Sequence, residues 1–391
     1  MSNTHFDGND GGSDPQNRQL TIGLGSALDA FAEASEVDKM IINLNSLCEE
    51  KHRERLTEIL DLYQEQPHLL DPHLPSFLSR LVDAILQVYS NKSRCDKESQ
   101  DVEKEAHAAA FCAQQLIKVR GHKVAVRHFP HEVHHVEAVL NILELQNTES
   151  TENWETRYVL LLWMSMLVLI PFHLARFDTN INNKENINCS ALDDTVTQSS
   201  EKNCTRTVIE RILLSCKRYL PVANKNQQAA SLLAAKFLTR PEIVKLGHLA
   251  EFLDWIAQKI SMDSSTEFGK TGALLALAAI YKHGKRQDIL QYASSMLRVV
   301  TMPKLKESKN MQIRKLTIKI IQRLGLTFLK AKVATWRYQR GCRSLALTLG
   351  GASDAKIPKK EENHNSAETE EETEEDEDFD ELYQEDIETV I

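Results

Sequence analysis

From Val159 to Ile170 the only polar residue is Ser165. A helix apolar on every side has to be enclosed on every side. The run is too short to cross a bilayer, which takes roughly 20 apolar residues. Trp154–Phe172, stopped by the missing N–H and bulky ring of Pro171, is therefore expected to be the central helix of an all-helical stack.

The flanking sequence supplies helices that could enclose it. Leu74, Phe77, Leu78, Leu81, Val82, Ile85 and Leu86 fall on one stripe, with Asp71 as the expected N-cap and Pro72 in the first turn. Ala27, Leu28, Phe31 and Ala32 share a face nearer the start. Val102–Val119 reads as an Ala-rich helix ended by Gly121, and Pro130 as the start of a helix His131–Leu145. Between them Val124 and Val126 alternate with charged residues, a hint of strand. Helices are expected again at Val208–Leu220, closed by Pro221, and at Asn224–Thr239, closed by Pro241. A stripe of Leu246, Leu249, Leu253, Ile256 and Ile260 follows, then Gly272–His283, Asp288–Val300, a stripe of Ile313, Leu316, Ile320 and Leu324, and finally Lys330–Leu349.

Helices joined by short Pro or Gly breaks, in pairs of about 40 residues, describe an all-α solenoid of HEAT or armadillo type. The expected organisation is a disordered start (1–20), repeats over 21–176, a polar disordered insertion over 177–203 with 91–101 as a loop, repeats over 204–350, and an acidic linker (351–391) ending in the first turn of a further helix.

Charge is unevenly distributed. Residues 361–391 carry 16 Asp and Glu and no Lys or Arg, which leaves 47 basic against 40 acidic residues before them. A mildly basic body with an acidic tail suits an acidic partner and an extended linker, or simply a solvated surface. The seven Cys are odd in number and include no Cys-x-x-Cys, and the first residues lack a signal-peptide pattern. Both point to a reducing, cytoplasmic compartment.

Two motifs hint at chemistry. His131-Glu132-Val133-His134-His135 matches His-Glu-x-x-His, which on a helix would set His131 and His135 on one face for zinc with Glu132 as base. No third ligand is evident, and Pro130 puts His131 in the first turn, so surface histidines with Glu132 opposing the helix dipole are the plainer reading. Gly269-Lys270-Thr271 resembles the end of a phosphate-binding loop, but Ser264 stands where that loop needs Gly and no strand precedes it. No nucleophile elbow or oxyanion loop occurs, so no catalytic residue, cofactor or metal is assigned.

The basic segment is the stronger candidate. Residues 301–345 hold twelve Lys or Arg and one acid, Glu307, with Phe328, Trp336 and Tyr338 among them. Arg337, Arg340 and Arg343 recur every three residues and can form a cationic ridge on a helix. Arginine forks grip carboxylates two oxygens at a time. The segment would fit an acidic protein surface; nucleic-acid phosphates would fit too, and a hydrated face with Trp336 and Tyr338 packed inward remains open.

Four stretches resemble the amino-terminal part of the tubulin-folding cofactor D (tubulin-specific chaperone D) family. They are Tyr63-Gln-Glu-Gln-Pro-His-Leu-Leu-Asp-Pro-His-Leu74, Trp154-Glu-Thr-Arg-Tyr with the following Leu-Leu-Leu-Trp and Leu-Ile-Pro-Phe, Ala250-Glu-Phe-Leu-Asp-Trp255, and the run Leu324 to Leu345. The resemblance runs from about Gly23 to about Leu347. It implies HEAT-like repeats in a family longer than this chain, hence a part of that array. It also implies a non-catalytic chaperone that captures β-tubulin after the chaperonin. Such a chaperone helps assemble the αβ-tubulin heterodimer with cofactors E and C and an ARF-like small GTPase, and contributes to GTP hydrolysis on tubulin. Family members are cytoplasmic and cytoskeleton-associated, also at centrosomes and cell junctions. On this reading Trp336, Arg337, Tyr338, Arg340 and Arg343 are candidate tubulin contacts, with nucleic acid not expected as partner. The alternative is a helical scaffold of transport or nucleic-acid-associated type using residues 301–345.

Overall fold

In the middle of the chain, helices buried along one stripe alternate with helices buried nearly all the way round. The computed structural model describes residues 30–92, 99–148, 150, 152–177, 206–262, 265–301 and 303–329. Twelve helices of nine or more residues occur there: α1 Ala34–Ile42, α2 Glu50–Asp61, α3 Leu74–Lys92, α4 Ser99–Arg120, α5 His135–Leu145, α6 Trp154–Leu167, α7 Val208–Tyr219, α8 Lys225–Leu238, α9 His248–Ser261, α10 Glu267–His283, α11 Arg286–Val300 and α12 Met311–Phe328. No strand is found among the described residues.

The helices form hairpins, α3 with α4, α5 with α6, α7 with α8, α9 with α10 and α11 with α12. Even-numbered helices pack on the even-numbered helices before and after them, giving a continuous layer α4–α6–α8–α10–α12, with α2 against α4. From α3 on, each odd-numbered helix packs on the even-numbered helix of its hairpin, and the odd-numbered helices touch one another more lightly. This is the two-layer stacking of an α-solenoid.

The layering explains the composition. A helix in the middle of the even layer has its hairpin partner on one side and stacked neighbours on two others, so it needs apolar or small residues around its circumference. In α6, Thr156, Arg157, every residue from Val159 to Ser165, and Leu167 are buried. The expected enclosed helix is there, but it ends at Leu167 rather than at Pro171: Val168 and Ile170 stay buried in the turn that follows, while Leu169 and Phe172 are about half exposed. The even neighbours supply small residues that let backbones approach: Ala106, Ala108–Ala110 and Ala113 in α4, Ala229, Ala230, Ala234 and Ala235 in α8, Ala273 and Ala276 in α10. The stripe of α3 buries Leu74, Phe77, Leu78, Leu81, Val82 and Ile85 as expected, with Leu86 partly covered.

Arginine forks fasten helices both within and between hairpins by donating to the carbonyls that helix ends leave unpaired. Arg157 donates to Asn147 O and Ser150 O, and Arg218 to Glu144 O and Gln146 O, so both close the chain leaving α5. Arg211 holds the Glu144 carboxylate at 2.6 Å. Arg240 donates to Val168 O, Ile170 O and Phe172 O at the end of α6. Arg286 does the same for Thr327 O and Leu329 O at the end of α12.

Several local expectations are corrected. Asp71 is not an N-cap: it lies in helical conformation after the turn Pro67–Leu70, and its carboxylate accepts from Arg120 at 2.9 Å, while α3 begins at Leu74. Val124 and Val126 lie in a one-turn helix, His122–Ala125, and a 3-10 turn, Val126–His128, rather than a strand. The helix after Pro130 starts at His135, not His131. Phe31 and Ala32 precede α1, and Ala27 and Leu28 lie outside the described residues. Leu246 is 58% exposed between two helices, and Phe252 takes its place in the buried stripe of α9. Chain ends at 1–20 and 351–391, the insertion (except Phe177) and the helix 330–349 lie outside the described residues.

Candidate partner-binding surface

Helix α12 carries the described part of the basic segment. Asn310 caps it, its side-chain oxygen accepting from Gln312 N at 2.9 Å. One side of α12 buries Ile313, Leu316, Thr317, Ile320, Leu324 and Thr327 against α10 and α11. That is the stripe expected from the sequence.

The opposite side is a second apolar strip. Met311, Ile318 and Leu326 are 61%, 68% and 59% exposed. Steps of seven and eight residues keep them on one face at 3.6 residues per turn. The exposed Arg314 and Lys315 lie within that face, and Lys306 and Lys309 are exposed just before the helix. Asn310 Nδ2 donates to Glu267 Oε2 at 3.3 Å, which brings the start of α12 beside the start of α10, where Phe268 is 58% exposed. Apolar side chains bordered by cations match the layout of a protein interface: an apolar centre supplies burial, and rim charge selects a partner of opposite sign. Sequence reading misses this strip because the stronger stripe, from Ile313 to Leu324, accounts for the helix by itself; the spacing of Met311, Ile318 and Leu326 is the signal that would reveal it.

Trp336, Arg337, Tyr338, Arg340 and Arg343, the residues singled out from the sequence, lie outside the described residues.

Neither chemical motif takes the form its pattern requires. His131 and Glu132 precede the turn that opens α5, and His131 Nδ1 lies 3.4 Å from Phe129 O, so His131 and His135 do not share a helical face. Gly269, Lys270 and Thr271 are inside α10. Thr266 caps that helix by accepting from Gly269 N at 3.1 Å, and Thr271 Oγ1 donates to Glu267 O at 2.9 Å. The amides a phosphate loop would present are committed to the helix.

No helix among the described residues is long and apolar enough to cross a membrane.

Comparison with known proteins places this architecture. The family described as tubulin-specific chaperone D-like, ARM repeat, matches residues 60–260, more than half of the chain. A second description of the same kind, tubulin-specific chaperone D-like, ARM repeats, matches residues 312–391. Tubulin-folding cofactor D of Schizosaccharomyces pombe is 24% identical over 297 residues, covering 74% of this chain and 22% of that protein. Tubulin-specific chaperone D of Dictyostelium discoideum is 24% identical over 407 residues, covering 80% and 27% respectively. The chain thus spans about a quarter of the length of these relatives. Among solved structures, an engineered protein aligns over 73% of this chain and 97% of its own at 14% identity, with a TM-score of 0.35. The chain belongs to the tubulin-specific chaperone D-like family of ARM-repeat proteins.

Proposed function

We propose that this chain is a non-catalytic tubulin-folding module that binds β-tubulin in the cytoplasm. In the wider reading it contributes to assembling the αβ-tubulin heterodimer together with cofactors E and C and an ARF-like small GTPase, and so to GTP hydrolysis on tubulin. The family match across the helical ladder carries this reading. The α12 surface supports it: Met311, Ile318 and Leu326 form an apolar strip beside Arg314, suited to an acidic protein partner. Arg337, Arg340 and Arg343, which follow α12 in the sequence, are the further cationic residues proposed to contact tubulin.

Size-exclusion chromatography of residues 1–391 with αβ-tubulin at near-physiological salt tests the proposal. The wild type is expected to co-elute. The triple variant R337A/R340A/R343A and the double variant I318E/L326E are expected to elute separately while keeping their helical circular dichroism. Failure of the wild type to co-elute at micromolar concentrations would refute tubulin capture by this chain.

A further inference from the structure

The turn ahead of α5 gathers three metal-ligating groups that the sequence motif does not pair. A carboxylate oxygen of Glu132 and one ring nitrogen each of His134 and His135 all lie within 4.8 Å of one another. Glu132 Oε2 and His134 Nδ1 are 3.3 Å apart. The imidazoles of His134 and His135 are 4.1 Å apart between centroids.

His135 supplies an independent observation. The residue is only 5% exposed, and its Nδ1 is buried with no hydrogen-bond partner among the described residues. An imidazole nitrogen left uncommitted in this way costs stability unless something else satisfies it. The ring is held in place: it packs on Trp163 of α6 with centroids 5.3 Å apart, and Trp163 Nε1 donates to Pro130 O at 2.6 Å. The enclosed central helix thereby anchors the turn, while Glu132 and His134 remain exposed and able to swing.

We propose that Glu132, His134 and His135 form a binding site for a late first-row divalent cation, zinc above all. Two imidazoles and one carboxylate suit zinc, nickel or copper; magnesium and calcium prefer oxygen sets. Tetrahedral zinc with bonds near 2.1 Å needs its ligand atoms about 3.4 Å apart. The Glu132–His134 separation already meets this, and side-chain rotation of the two exposed groups closes the rest. Three protein ligands leave a fourth position for water or for a side chain of a partner. This site differs from the His-Glu-x-x-His reading, which needs His131; here His131 takes no part.

Calorimetric titration of the full chain with Zn²⁺, and with Mg²⁺ beside it, decides the matter. The expected result is that H134A and E132Q each weaken one equivalent of Zn²⁺ binding at least about tenfold, while H131A leaves it unchanged and Mg²⁺ does not compete. Both altered residues are exposed, and circular dichroism checks the fold of each variant. Zn²⁺ binding that is identical in the wild type and in both H134A and E132Q would overturn the proposal, as would loss of that equivalent in H131A.

Discussion

Gly272 of α10 lies against the carbonyl of Leu220 at the end of α7: a Cβ added to Gly272 would sit 1.9 Å from Leu220 O. The same carbonyl accepts from Gln227 Nε2 at 2.7 Å, and that amide also donates to Phe268 O at 2.8 Å. A bare backbone on α10 thus lets two hairpins meet around one buried amide. Gly272→Ala forces backbone against backbone, where no side chain can swing aside. It is expected to destabilise by about 3 kcal/mol or more, although Ala is the better helix former. Urea unfolding followed by circular dichroism measures it; Gly325→Ala, with nothing within 4 Å of the added atom, is the control and is expected to be neutral or stabilising.

Arg240 reaches back across the layer to the end of α6. Its guanidinium holds Val168 O, Ile170 O and Phe172 O and pairs with Glu242. Arg240→Ala strands those carbonyls and the Glu242 carboxylate, for an expected loss of about 3 kcal/mol. Arg240→Lys keeps the charge but not the fork, and recovers less than half of the loss. Hydrogen exchange at amides 166–170 and 172 would localise the effect; equal stability of the Ala variant would mean that water replaces the fork without cost.

The Arg120 guanidinium, hydrogen-bonded to Asp71, holds that carboxyl below its ordinary value of 3.8. A depressed carboxyl pKa contributes stability that is present above the unfolded value and lost as pH falls through the folded one. The wild type is therefore expected to lose melting temperature between pH 5 and pH 3 more steeply than Asp71→Asn, with the two curves converging at the acid end. The pair is partly exposed, so the difference is small and shrinks in salt. Parallel curves across that range would show that the pair contributes nothing.

Residue periodicity carries the helical stack. The all-apolar run of α6, the stripe of α3 and the buried face of α12 are legible because a side chain's side on a helix follows from its number alone. The Ala-rich character of α4 likewise announces close neighbours. Helix starts are less legible, because local cap signals compete with distant partners. Asp71 has the chemistry of an N-cap, but Arg120 claims its carboxylate from 49 positions away. Pro130 looks like a helix start, but its carbonyl accepts from Trp163 and the helix waits until His135.

The chain's own sequence determines that it is helical, where most helices run and which of their faces are apolar, since these depend on neighbours a few residues apart. Tertiary structure alone decides which helices become the shared layer, that Gly272 must be glycine, that arginine forks close the ends of α5 and α6, and that Trp163 packs on His135 and holds the turn ahead of α5. Each of these rests on groups brought within a few ångströms by packing. Sequence separation does not encode that distance, and burial sets how strongly the groups interact once they meet.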